Sequence, residues 1–180
     1  MPPPPPWSWP SMPAGAAAGP LSRQGIPLAE WWQRLVAIII DIVILDVPKL
    51  ILMALVMGAA MSGGFYVTTF GVSFVVLGIV FVVVDIGYFA LMNGSSSGQT
   101  LGQILLGIAV RDATTGGAVE PKRAGLRIVV LAPGILLSWI PILAMLADLY
   151  TIVAALSPLW DPERRGFHDK IANTDVVKVR

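Results

Sequence analysis

The chain has 180 residues, of which 56% are hydrophobic and 13% charged; its net charge is +1 and it has no cysteine. An average soluble domain is about 25% charged, so this is the composition of a lipid-embedded protein, and a mean hydropathy of +0.77 agrees. The near-neutral balance excludes a nucleic-acid partner bound through a basic face, and the missing cysteines exclude disulfides, thiolate metal sites and cysteine nucleophiles. The length allows at most one compact domain, with room for three or four spans of about 20 residues each.

Residues 1–27 are rich in Pro, Gly and Ala, and Arg23 is their only charge. Such a segment cannot bury a core and favours extended polyproline II. Prolines occupy both the places where a secretory signal needs a basic region and an unbroken apolar run, so the segment is expected to be a disordered cytoplasmic tail that stays in the mature protein. The plain reading of it is a solvated tail, and the functional one is a docking arm for a Pro-binding partner.

Four apolar stretches follow, at about residues 31–57, 66–92, 124–139 and 142–160. The first is interrupted by Asp46, Pro48 and Lys49, where a kink is expected because proline cannot donate to the helix ladder. The last two cover too many residues for one straight span, and a tight turn at Ser138 to Pro141 makes them a hairpin. Lys and Arg avoid the segments joining the first to the second and the third to the fourth stretch. They gather instead at Arg111, Lys122, Arg123 and Arg127 in the middle and at Arg164, Arg165, Lys170, Lys178 and Arg180 at the end. That asymmetry puts the middle loop and both termini in the cytoplasm. An even number of spans follows, hence a four-span all-α bundle, with Trp31, Trp32 and Trp160 as an inner aromatic belt.

Between the second and third stretches, Leu101, Ile104, Leu105 and Ile108 recur at helical spacing, which suits a short helix lying in the interface. Thr115-Gly116-Gly117 between two β-prone runs reads as a hairpin turn. The closing TDVVKVR alternates in the same way, so a small cytoplasmic sheet could join the middle loop to the tail.

Ionisable residues fall at membrane depth: Arg34, Asp85, Asp41, Asp46, Lys49 and Asp148. Such groups cost about 2.5–3.5 kcal/mol each on insertion scales and usually face a bundle interior or a water-filled cavity. Arg34 and Asp41 are roughly 10 Å apart along one helix face, too far to touch, so each needs another partner. Asp46 and Lys49 can pair at i,i+3, and Arg34 can be neutralised by Asp85 or by a carboxylate from the C-terminal segment. Four acids against two bases leave a surplus. Asp41, Asp85, Asp46, Lys49 and Asp148 therefore form a candidate proton or cation path, while neutral interhelical hydrogen bonding by Asp41 and Asp85 is the bland alternative.

The C-terminal run DPERRGFHDK combines a helix stop at Asp161-Pro162 with a dense charge cluster. It reads as a basic membrane anchor, or as a segment that folds back so that Asp169 meets Arg34. His168 beside Asp169 does not make a catalytic pair, because no activated serine accompanies it and triads are assembled in space.

Three motifs now stand in order: WWQRLVAIIID, GQTLGQILLGIAVRD and DPERRGFHDKIANTDVV. Over about residues 28 to 180 the chain resembles the RDD family of bacterial membrane proteins, named for one arginine and two aspartates. The resemblance implies Arg34, Asp41 and Asp169 as signature residues, with an Arg34–Asp169 ion pair at the cytoplasmic boundary. One departure is Gln103, where members often carry Lys or Arg, and it counts against a phosphate-binding loop. The resemblance also implies residence in the bacterial inner membrane and two roles, ligand or cation/proton transport and service as an accessory component. No internal repeat supports alternating access by a lone copy. The expectation is therefore a non-enzymatic accessory or assembly subunit that uses no cofactor or metal, with the bilayer and other membrane subunits or its own copies as partners. An oligomeric cation/proton antiporter or small-ligand transporter is second, and an enzyme third.

Overall fold

The computed structural model describes residues 20–62, 67–137 and 141–179. Two long helices come first, α1 (Trp31–Ser62) and α2 (Val67–Asn93). A short helix α3 (Leu101–Leu106) and a strand β1 (Ile108–Asp112) follow. Then come α4 (Pro121–Leu131), α5 (Gly134–Leu137) and α6 (Pro141–Leu156), which ends in a 3-10 turn at Ser157–Leu159. A last short helix α7 (Phe167–Ala172) leads into β2 (Thr174–Lys178).

Among the described residues two stretches are long and apolar enough to cross a membrane, Gly71–Asn93 and Ile142–Leu159. α1, with 32 residues, is about 48 Å long at 1.5 Å per residue, and it carries Arg34, Asp41, Asp46 and Lys49 within it. The large side chains of these helices point outward: Leu50 is 67% exposed, Val83 64% and Ile142 71%. Surfaces so apolar are suited to lipid or to another protein rather than to water.

Several expectations change. α1 runs on to Ser62, past the expected end at 57, with Pro48 inside it. The third stretch is not one helix over 124–139: α4 stops at Leu131, Ala132 leaves the helical region at φ −128° and ψ 69°, and a separate turn, α5, begins at Gly134. Pro133 is the cause, since its ring pushes the preceding residue out of the α region. Residues 138–140 of the expected turn lie outside the described residues, as do residues 1–19 of the expected tail. Residues 20–27 do have structure: Leu21 bridges Pro27, and Leu28 bridges Val177.

The Thr115–Gly117 segment does turn, but it makes no hairpin. Asp112 Oδ1 accepts from the amides of Thr114 and Thr115 at 2.8 and 2.9 Å, and Gly116 takes φ +72°. Only Ala118, Val119 and Glu120 separate this turn from Pro121, which opens α4, and that is too short a run for a returning strand. β1 pairs instead with β2, antiparallel, from Ile108 opposite Lys178 to Asp112 opposite Thr174. The two-stranded sheet thus joins the middle of the chain to its end. Its core contains Ala29, Ala37, Ile108, Val110, Val119, Ala124 and Val176. A second cluster of Ile128, Leu131 and Ala154, with Ile38, Ile86 and Phe89 against it, lies between the longer helices.

Candidate functional site

The end of the bundle that carries the sheet is built around Asp169, which is fully buried on α7. Its Oδ2 accepts from Arg34 Nη1 at 3.0 Å and from the amide of Gly166 at 3.1 Å. Its Oδ1 accepts from Arg127 Nε at 2.8 Å and from Thr174 Oγ1 at 3.2 Å. α1, α4, α7 and β2 therefore meet on one carboxylate. Burial by itself raises the Asp169 carboxyl, but the charges of His168, Arg127 and Arg34 outweigh it and hold the group far below the usual carboxylate range. His168 Nε2 is 3.5 Å from Asp169 Oδ2, yet burial pushes the imidazole down to about 4. At neutral pH the imidazole is uncharged, and the two arginines alone supply the stabilising charge.

Arg127 is the functional residue that spacing could have revealed and did not. Ala124, Arg127, Ile128 and Leu131 are the buried positions of α4, which is the i, i+3, i+4, i+7 pattern of a core-facing stripe. A cation in such a stripe needs a buried anion, and Asp169 is that anion.

Asp41 has a different job from an ion pair. It is 1% exposed and accepts from Tyr88 Oη at 2.8 Å, Thr100 Oγ1 at 2.6 Å and the amide of Gly102 at 2.9 Å. No cation touches it among the described residues. Thr100 is itself the N-cap of α3: its side chain accepts from the Gln103 amide at 3.3 Å, and Gln103 Oε1 accepts from the Thr100 amide at 3.1 Å. The Thr-x-x-Gln pattern was readable as a capping box, and Gln103 stands in that box. Asp41 thus finishes the N-terminus of α3 from another helix, where free amides and the helix dipole favour a negative charge. Gly102 allows the approach, because a Cβ there would overlap the carbonyl oxygen of Ala37.

The other expected path residues do not form a continuous line with Asp41. Lys49 Nζ lies 2.8 and 2.9 Å from the two oxygens of Asp85 and also pairs with Asp46 one turn away. Asp85 is thereby taken from Arg34. Asp148 makes no hydrogen bond or ion pair among the described residues and stands beside Gly134, where a Cβ would be 3.1 Å from its Oδ1. The walls of a cavity of about 400 Å³ include Arg34, Asp41, Asp46, Asp85, Arg127 and Asp148, with Ile38, Leu45, Phe89, Ile128 and Leu131 supplying apolar surface between them. Among the described residues no group of His, Asp or Glu has the makings of a metal site.

With this geometry in view, the comparison with known families is specific: the RDD family model matches residues 28–173. The chain belongs to the RDD family. Arg34, Asp41 and Asp169 lie within the matched segment, and so does every element from α1 to α7, leaving only β2 beyond it. Neither the curated proteins nor the solved structures contain a match. Membership and the outward-facing apolar helices together make this a membrane protein.

Proposed function

We propose that this RDD-family chain is a non-enzymatic accessory or assembly subunit of a larger membrane complex. The observation that carries the reading is how the intramembrane acids are used. Asp41 is occupied by three donors that seat α3, and Asp46 and Asp85 share Lys49. A carrier that loads and releases protons or cations needs carboxylates free to change partner, whereas these hold one helix to another. The wide apolar surfaces of α1, α2 and α6 are available for neighbouring subunits as well as for lipid.

The second reading, an oligomeric cation/proton antiporter or small-ligand transporter, is favoured by Asp148, which has no partner among the described residues and lines the cavity. A discontinuous helix beside an intramembrane carboxylate, as at Pro133, is a feature of transporter sites.

In the proposed arrangement four segments cross the bacterial inner membrane, the third as the broken pair α4 and α5. The sheet and both termini then face the cytoplasm, as the distribution of Lys and Arg favours. Cysteine placed at Met61 should react with an impermeant reagent added to intact cells, while cysteine placed at Ser97 should not. Purification in mild detergent should yield stoichiometric partner subunits, and proteoliposomes of the chain alone should show no sodium-driven or potassium-driven pH change. A homo-oligomer that exchanges protons for a cation, and loses this in a folded Asp148→Asn variant, would overturn the subunit reading.

A further inference from the structure

At the sheet end of the cavity two arginines share one carboxylate and keep N–H groups without an acceptor, while Asp41, which touches no cation among the described residues, lines the same cavity. Arg34 and Arg127 both line it, and both are 8% exposed. One carboxylate, Asp169, touches the two of them, and it uses only Nη1 of Arg34 and Nε of Arg127. Arg34 Nε is buried without a partner. The two terminal nitrogens of Arg127 also donate to nothing among the described residues, although they belong to a side chain that faces the cavity. Buried polar groups without partners are uncommon in native structures and call for a missing ligand or water. Guanidinium N–H groups without an acceptor are matched best by the oxygens of an anionic group, which take charge-assisted, often paired, hydrogen bonds.

We propose that the sheet end of this cavity binds an anionic group, a carboxylate or phosphate, through the terminal nitrogens of Arg127, as the head of an amphiphile whose apolar tail lies in the cavity. The tail has a path along Ile38, Leu45, Phe89, Ile128 and Leu131. Asp148, Asp46 and Asp85 line the cavity further along, the last two paired with Lys49. The guanidinium groups stand at one end of the cavity and the apolar path leads away from them, so the ligand has one orientation, head toward the sheet. The volume of about 400 Å³ is in the range of small-molecule sites, about 300–1,000 Å³.

The test uses the full chain in a non-ionic detergent with radiolabelled palmitate as probe. Saturable binding at one palmitate per chain is expected, displaced by unlabelled palmitate and not by hexadecyltrimethylammonium, which has the same tail and the opposite charge. Arg127→Gln should weaken binding at least tenfold. Because that variant also removes a partner of Asp169, Leu45→Trp tests the tail path without touching the ion cluster and should weaken binding similarly while the thermal transition stays in place. Inorganic phosphate distinguishes the sources: failure to displace palmitate at millimolar concentration assigns the anion to the bilayer, and displacement assigns it to the aqueous phase, the anion site being supported in both cases. Absence of saturable binding, equal competition by the cationic amphiphile, or parental affinity in both variants would overturn the proposal.

Discussion

Arg34 and Asp169 are 135 positions apart in the chain and 3.0 Å apart in space. Arg127 reaches the other oxygen of the same carboxylate, so removing Asp169 strands two buried guanidinium groups rather than one. Breaking one side of a buried pair costs about 3–5 kcal/mol. Asp169→Ala should therefore sit at or above the top of that range and Arg34→Ala lower within it, read as loss of the folded monodisperse peak on gel filtration and as a lowered thermal midpoint. The reciprocal exchange, Arg34→Asp with Asp169→Arg, should give no recovery, because the new arginine would face Arg127 and the amide of Gly166. Recovery of parental stability by the exchange would show that Arg127 and Gly166 are not essential partners.

Asp41→Ala should unseat α3 while leaving α1 and α2 in place. Three donors lose their acceptor, and hydrogen bonds to a charged group are worth about 1.5–3 kcal/mol each, not additively. Asp41→Asn keeps one acceptor oxygen and should be milder. Hydrogen exchange of the Leu101 to Leu106 amides is the measurement, and unchanged protection in Asp41→Ala would contradict the capping role.

Gly102→Ala tests the same junction from the other side. The added methyl meets the Ala37 carbonyl oxygen, a backbone atom that cannot turn away, and overpacking of this kind costs about 1–3 kcal/mol. The same exchange at Gly87, inside α2, where a methyl group would find no atom within 4 Å, should leave the thermal midpoint unchanged or raise it, since alanine favours a helix over glycine.

Acid should destabilise the sheet end in two stages. His168 has its pKa depressed from 6.5 to about 4, so the unfolded chain binds its proton first. The contribution of the neutral imidazole is complete above pH 6.5 and is lost as pH falls toward 4, amounting to about 3 kcal/mol at 1.36 kcal/mol per unit. Asp169 is also depressed, so its contribution is complete above the ordinary carboxylate range and starts to fall only below about pH 4. A pH series of denaturation midpoints should show the first stage in the parent and not in His168→Gln. An identical slope between pH 6.5 and 4 in both proteins would remove His168 from the account.

Membrane character, the helical stretches and the short α3 were legible in the sequence because they depend on local composition and spacing: apolar runs set helix length, and Thr100 to Gln103 closes its own cap. The closing TDVVKVR could be read as a strand from its alternation, and Lys49 with Asp46 as an i,i+3 pair. Which anion meets which cation was another matter. Asp169 satisfies Arg34 and Arg127, Asp85 satisfies Lys49, and Asp41 satisfies no cation among the described residues, because desolvated charges take the partner that tertiary packing brings nearest and sequence separation does not enter. The strand pairing followed the same logic, since the turn after β1 left no room for a return and the exposed edge was closed by residues from the far end of the chain. The number and type of charges within the apolar stretches were written in the sequence. Their assignment, one carboxylate shared by two arginines and another capping a helix, was decided only when α1, α4, α7 and the sheet packed against each other.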